Sequence, residues 1–123
     1  MTHPAIQRAT TYLRSAEVLF EEEDFESVVS RTYYEMFYMA RALLQQKGIE
    51  TKTHSGLRQQ FGLHFVKDGP MSTRFARMLD ETEDLRALAE YAESAGVISA
   101  EDARASIDAA RSFVERVRRE LEA

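Results

Sequence analysis

The sequence predicts an all-α domain, an up-and-down bundle of four longer helices and one short helix, on three observations. The composition is 44% hydrophobic and 30% charged, with only five Gly and two Pro in 123 residues. That is rich in helix formers and poor in the turn residues that many short strands need. Apolar residues recur at helical spacing along nearly the whole chain, and residues that start or stop helices fall between the stripes. A chain of this length forms one domain with its own core, so residues 1–123 are read as a single unit.

The first stripe is Ile6, Ala9, Leu13, Ala16 and Phe20, with Pro4 where a first helical turn tolerates proline, which predicts a helix over 4–22. The acidic run Glu21 to Asp24 sits where a helix C-terminus disfavours negative charge, and Asp24 is placed to cap the next helix. That second helix spans 25–47 and stops at Gly48. Val29, Tyr33, Phe37, Ala40 and Leu44 line one side of it, while Val28, Thr32, Met39 and Ala42 cover much of the other. A helix apolar on both sides lies either at the centre of a bundle or against another chain.

A polar connection, Thr51 to Ser55, leads to a short helix marked by Leu57, Phe61 and Phe65 that ends at Asp68-Gly69-Pro70. The fourth helix runs from there to about residue 94, with a stripe of Phe75, Leu79, Thr82, Arg86 and Ala89. Gly96-Val97 reads as its Schellman-type end. Ser99 with Asp102 reads as a capping box for a fifth helix whose one-sided stripe is Ala103, Ile107, Ala110, Val114, Val117 and Leu121. One-sidedness places that helix on the outside.

Several function classes are disfavoured. The chain has no Cys, which removes disulfides, thiolate metal sites and thiol nucleophiles. No run approaches the roughly 18 apolar residues of a membrane span, so a soluble, cytoplasmic protein is expected, with no membrane partner. Net charge is −5, from 21 acidic against 16 basic residues, and such a field repels polyanions overall. The Lys and Arg residues are still free to gather in space without gathering in sequence. His3, His54 and His64 lack metal-ligand spacing, and no phosphate loop or nucleophile elbow is present, so neither metal nor cofactor is expected. His54-Ser55-Gly56 reads as a helix start capped by Thr53 or Ser55.

Arg86 is the most informative residue, because a guanidinium on an apolar stripe requires a partner or a ligand. Glu90 stands at i+4 from it and offers an intrahelical ion pair; an anion or nucleotide is the alternative. Tyr33 and Phe37 belong to the core stripe, whereas Tyr34 lies toward an edge with Ser30 and Arg41 on nearly the same line. Arg86, Glu90, Ser30, Tyr34 and Arg41 are therefore the candidate ligand-binding residues. The reverse side of the second helix (Val28, Thr32, Met39) and a strip of the fourth (Leu88, Tyr91, Ala95) suggest a homodimer interface.

The run Ser30-Arg31-Thr32-Tyr33-Tyr34-Glu35-Met36-Phe37, followed by Ala40-Arg41-Ala42-Leu43-Leu44, resembles the second-helix signature of HEPN-domain proteins. That signature reads close to Ser-Arg-Ala-Tyr-Tyr-Ala-Met-Phe and then Ala-Arg-Ala-Leu-Leu. The resemblance continues in Lys52-Thr53-His54-Ser55-Gly56-Leu57, in Phe61-Gly62, in Phe65-Val66-Lys67-Asp68-Gly69, and in Leu85-Arg86 with Ala89-Glu90-Tyr91. It implies a helical bundle, commonly dimeric, often encoded beside a minimal nucleotidyltransferase in modules of toxin–antitoxin type. Many HEPN proteins are metal-independent ribonucleases with the motif Arg, four to six residues, His, completed across two protomers. Arg86 matches the Arg, but positions 91 to 93 hold Tyr91, Ala92 and Glu93, so the imidazole is missing there. The branch this chain resembles has Arg, two residues, Ala-Asp-Tyr, with Glu90 here in the Asp position.

These readings lead to a dimeric HEPN module that binds a nucleotide or an RNA end near Arg86 and acts with a nucleotidyltransferase. A ribonuclease toxin using Arg86 with Glu90 or Tyr91 is one alternative, and a helical scaffold without ligand is another.

Overall fold

A computed structural model describes residues 3–91 and 96–123 of the chain. Its elements are α1 (Pro4–Glu21), α2 (Phe25–Gln46), α3 (His54–Phe61) running on into a π-helical turn (Gly62–Lys67), α4 (Thr73–Tyr91) and α5 (Ala100–Glu122). Among the described residues there is no strand, and no helix is long and apolar enough to cross a membrane.

The caps read from sequence are present. Asp24 Oδ1 accepts the Ser27 N–H at 3.3 Å at the start of α2, and Ser99 Oγ accepts the Asp102 N–H at 3.0 Å while Asp102 answers through the Ser99 N–H. Thr53 Oγ1 accepts the Gly56 N–H at 2.9 Å and so starts α3. Gly48 takes the left-handed φ of +74° that ends α2. Gly69 has a different reason for being glycine: a Cβ there would sit 2.5 Å from the His64 carbonyl oxygen, where the chain folds back against the π turn. With that turn the short helix runs to Lys67 and ends before Asp68-Gly69-Pro70, as expected, while α4 begins at Thr73 under a Ser72 cap instead of at Pro70. The expected end of α4 near residue 94 lies outside the described residues.

Helix α2 occupies the centre, packed by α1, α5, α4 and α3. Its two-sided apolar pattern is resolved within the chain. Tyr33, Met36, Phe37, Met39 and Leu44 join Phe61, Leu79, Phe113 and Val117 in the main cluster, and Val28 joins Ala16, Ala103 and Ile107 in a smaller one. Val28, Thr32 and Met39 are fully buried, which corrects their assignment to a dimer interface: the chain's own helices cover them, and no surface of theirs is left for a partner. Leu88 and Tyr91 of α4 are exposed, at 52% and 79%; Ala95, the third residue of that strip, lies outside the described residues. Helix α5 buries Ala103, Ile107, Ala110, Val117 and Leu121 of its expected stripe, with Phe113 buried in place of the expected Val114, which is only partly buried beside it.

One buried group conflicts with the core around it. Glu35 on α2 is 1% exposed, and its Oε2 meets no hydrogen-bond partner among the described residues. Burial pushes its carboxyl from 4.5 up to about 8, with Arg111 pulling weakly the other way.

Candidate functional site

Ser30 and Tyr34 lie one helical turn apart on α2, and Tyr38 follows one turn later, so the three share a face. Helix α4 approaches that face and brings Arg86 with it. The guanidinium carbon lies 5.2 Å from the Tyr33 ring centroid and 5.7 Å from that of Tyr34. Arg86 is neither unpaired nor paired with Glu90 alone. Its Nε and Nη2 donate to the Glu83 carboxylate at 3.1 and 2.7 Å, and its Nη1 donates to Glu90 at 2.6 Å. The bonds to Glu83 are the chief reason its pKa rises above the ordinary arginine value.

Arg58 of α3 extends the network. It pairs with Asp80 at 3.3 Å, approaches Glu83 at 3.9 Å, and donates to the Tyr33 hydroxyl at 3.3 Å. Tyr33 is wholly buried, and burial pushes its phenol up to about 12, so it remains a neutral hydroxyl. Glu83 thus joins two arginines beneath the aromatic face.

Two depressions open over this network with Ser27, Ser30 and Tyr34 as a common wall. One, of about 350 Å³, is closed by Glu26, Arg86, Ala89 and Glu90. The other, of about 630 Å³, is closed by Tyr12, Arg31, Tyr38 and His54. The arrangement offers a flat ring, two hydroxyls, a guanidinium and an exposed carboxylate, which are the groups that hold a base, a ribose and a phosphate. Three of the five Arg86 N–H groups already face carboxylates. A phosphate therefore competes with Glu90, whose side chain is 52% exposed, and not with Glu83, whose side chain is 14% exposed.

Four of the expected ligand residues, Arg86, Glu90, Ser30 and Tyr34, thus meet in one place. Arg41 does not. It lies 4.8 Å from the Tyr38 ring centroid in a separate depression with Arg8. Sequence reasoning also missed three members. Glu83 was open to discovery, since it stands at i−3 from Arg86 on a helix. Arg58 gave no local signal and His54 reads in sequence only as part of a helix start, because only the docking of α3 brings the two to the site. The His54 ring centroid is 4.6 Å from that of Phe37 and 5.6 Å from that of Tyr34. Burial first, opposed by Glu83 and reinforced by Arg86 and Arg58, lowers its pKa, so the imidazole is neutral at neutral pH.

The family model described as the HEPN domain matches residues 4–120. A Methanocaldococcus jannaschii protein named "Putative toxin MJ0605" is 34% identical over 94% of this chain and 85% of its own length. A "UPF0332 protein" of Gloeobacter violaceus is 36% identical over 89% of this chain and 87% of its own. A second Methanocaldococcus jannaschii protein, also named a toxin in that form, is 35% identical over 70% of this chain and 58% of its own.

Proposed function

Because the chain belongs to the HEPN family, we propose that it is a binding module for a nucleotide or an RNA end, acting with a nucleotidyltransferase in a toxin–antitoxin-type pair. The toxin names of two relatives support the setting. The observation that carries the ligand is Arg86 lying against Tyr33 and Tyr34 beside the Ser27 and Ser30 hydroxyls. Tyr34 takes the base, the hydroxyls the sugar, and Arg86 the phosphate once Glu90 has swung into solvent. Titration calorimetry with AMP and ATP tests this on the wild type, Arg86→Ala and Glu90→Gln. Arg86→Ala loses binding, and Glu90→Gln tightens it by removing the competing charge. A wild type that binds neither nucleotide at millimolar concentration, while retaining a protein partner, leaves the ligand-free scaffold.

RNA cleavage is the second reading, and His54 is the observation that favours it. A neutral imidazole lining the same depression as Ser30 and Tyr34 supplies a base that positions 91 to 93 lack. Cleavage through the 2′-hydroxyl also needs a proton delivered to the leaving oxygen. Arg86 is a poor acid because its proton is effectively permanent. One imidazole without an acid partner favours binding over turnover.

A further inference from the structure

Arginines without an ion pair occur on α1, α2, α4 and α5 among the described residues, Arg74, Arg77 and Arg119 belonging to the last two helices. Those that form ion pairs, Arg58, Arg86, Arg104, Arg111, Arg116 and Arg118, all lie on α3, α4 and α5. Arg8 of α1 and Arg31 and Arg41 of α2 are exposed and form none among the described residues. They lie instead against tyrosines. Arg8 and Arg41 are 4.3 and 4.8 Å from the Tyr38 ring centroid, and Arg31 is 5.3 Å from that of Tyr12. The two rings are 5.9 Å apart, and Tyr38 is 6.1 Å from Tyr34 at the wall of the Arg86 groove.

Three of the four carboxylates of these two helices are engaged or buried, and the fourth, Glu21, stands at the last residue of α1. Glu17 pairs with Arg104 and Arg111 of α5, Glu26 accepts the Gly96 N–H at 2.9 Å, and Glu35 is buried. The depressions on either side of Tyr38 have no acidic residue in their walls. In a chain of net charge −5, a face of cations alternating with half-buried rings is a local reversal of the overall field.

We infer that this α1–α2 face is a track for single-stranded RNA, leading along Tyr38 and Tyr12 to the Arg86 groove; the inference rests on the groove reading above and adds the polymer that reaches it. Two guanidinia sharing one ring without a carboxylate repel each other until an anion lies between them, and backbone phosphates supply that anion. Tilted rings along the track suit unpaired bases, which stack on aromatic faces with little regard to sequence. A duplex keeps its bases inside and gains only the charges.

Fluorescence anisotropy with labelled oligouridylate of 12 nucleotides, read at several salt concentrations beside AMP calorimetry, tests the track. The variants are Arg8→Gln/Arg41→Gln, whose exposed side chains the fold does not need, and Arg86→Ala; thermal melts confirm folding. The wild type binds the 12-mer more tightly than AMP. The double variant weakens the 12-mer on the order of tenfold at low salt and flattens the log–log salt slope by about 1.4, about 0.7 for each charge removed. Its AMP affinity is unchanged. A 12-mer bound equally well by the wild type and the double variant overturns the track, as does a wild type that binds AMP but no 12-mer. A wild type with no detectable affinity for AMP, whose 12-mer binding still depends on Arg8 and Arg41, sinks the groove and keeps the track. Binding of polyglutamate through these arginines with no affinity for the 12-mer makes the face a protein-docking surface and overturns the proposal.

Discussion

Replacing Glu35 by a neutral side chain is predicted to stabilise this protein in a pH-dependent way. The carboxyl is 1% exposed, Oε2 has no partner among the described residues, and the pKa is raised from 4.5 to about 8. Below about pH 4.5 the group is protonated in both folded and unfolded chains and costs no ionisation energy. Between 4.5 and 8 the unfolded chain loses the proton while the folded one keeps it, so stability falls as pH rises, by up to about 1.4 kcal/mol per pH unit. Above 8 both are ionised and the loss levels off. The full shift corresponds to about 5 kcal/mol, a large fraction of a small domain's stability, and water reaching the site reduces it to about 2 to 4. Urea unfolding of the wild type, Glu35→Gln and Glu35→Met between pH 5 and pH 9 measures it. The variant-minus-wild-type difference starts near its minimum at pH 5, grows to pH 8, and then stays constant; other titrating groups are common to both and cancel. A difference that does not change with pH would refute the reasoning and assign Glu35 a partner that keeps it ionised.

Arg86→Ala is expected to cost about 1 to 2 kcal/mol in a thermal or urea melt, because Glu83 is left half-buried with only Arg58 at 3.9 Å; adding Glu83→Gln recovers most of that loss. Met39→Glu is expected to abolish cooperative unfolding, since it buries a charge in the main cluster, and Leu88→Glu to leave the melt unchanged while dissociating any dimer built on α4, read by sedimentation. Purified protein is expected not to cleave single-stranded or structured RNA above background in metal-free buffer; cleavage that disappears in His54→Ala would make the ribonuclease reading the leading one.

The helices were legible because their signals are local. Spacing located α1, α2 and α5, and the side-chain caps at Asp24 and Ser99 did what their chemistry requires. The π turn was not legible, since it depends on the chain closing back over Phe65 at Gly69. The two apolar faces of α2 were recognised, but periodicity cannot say whether a second face is covered by the same chain or another. Here α1 and α5 cover it, so Val28, Thr32 and Met39 carry core packing. Glu35 escaped notice although it stands where the resembled signature has alanine, because α2 is apolar on so many sides that no face of it marks a polar residue as buried.

At the site, the split between legible and hidden follows chain separation. Arg86, Glu83 and Glu90 are neighbours on one helix, so their ion pairs are written in i+3 and i+4 spacing. The lack of His at positions 91 to 93 is a signal of the same spacing kind. His54 shows the weakness of that test, because an imidazole from α3 reaches the face that Arg86 reaches from α4. What spacing tests is one route to a side chain; what a reaction needs is two proton-transferring groups at one bond, whatever their route. Among the described residues the groove has one such imidazole, packed on Phe37 and with no hydrogen-bond partner to orient it, and Glu90 accepts a bond from Arg86 Nη1. A stacking ring, a conditional anion site and a single base are the groups that the proposed binding of an RNA end requires. Cleavage would require in addition an acid, brought by a second protomer or a partner.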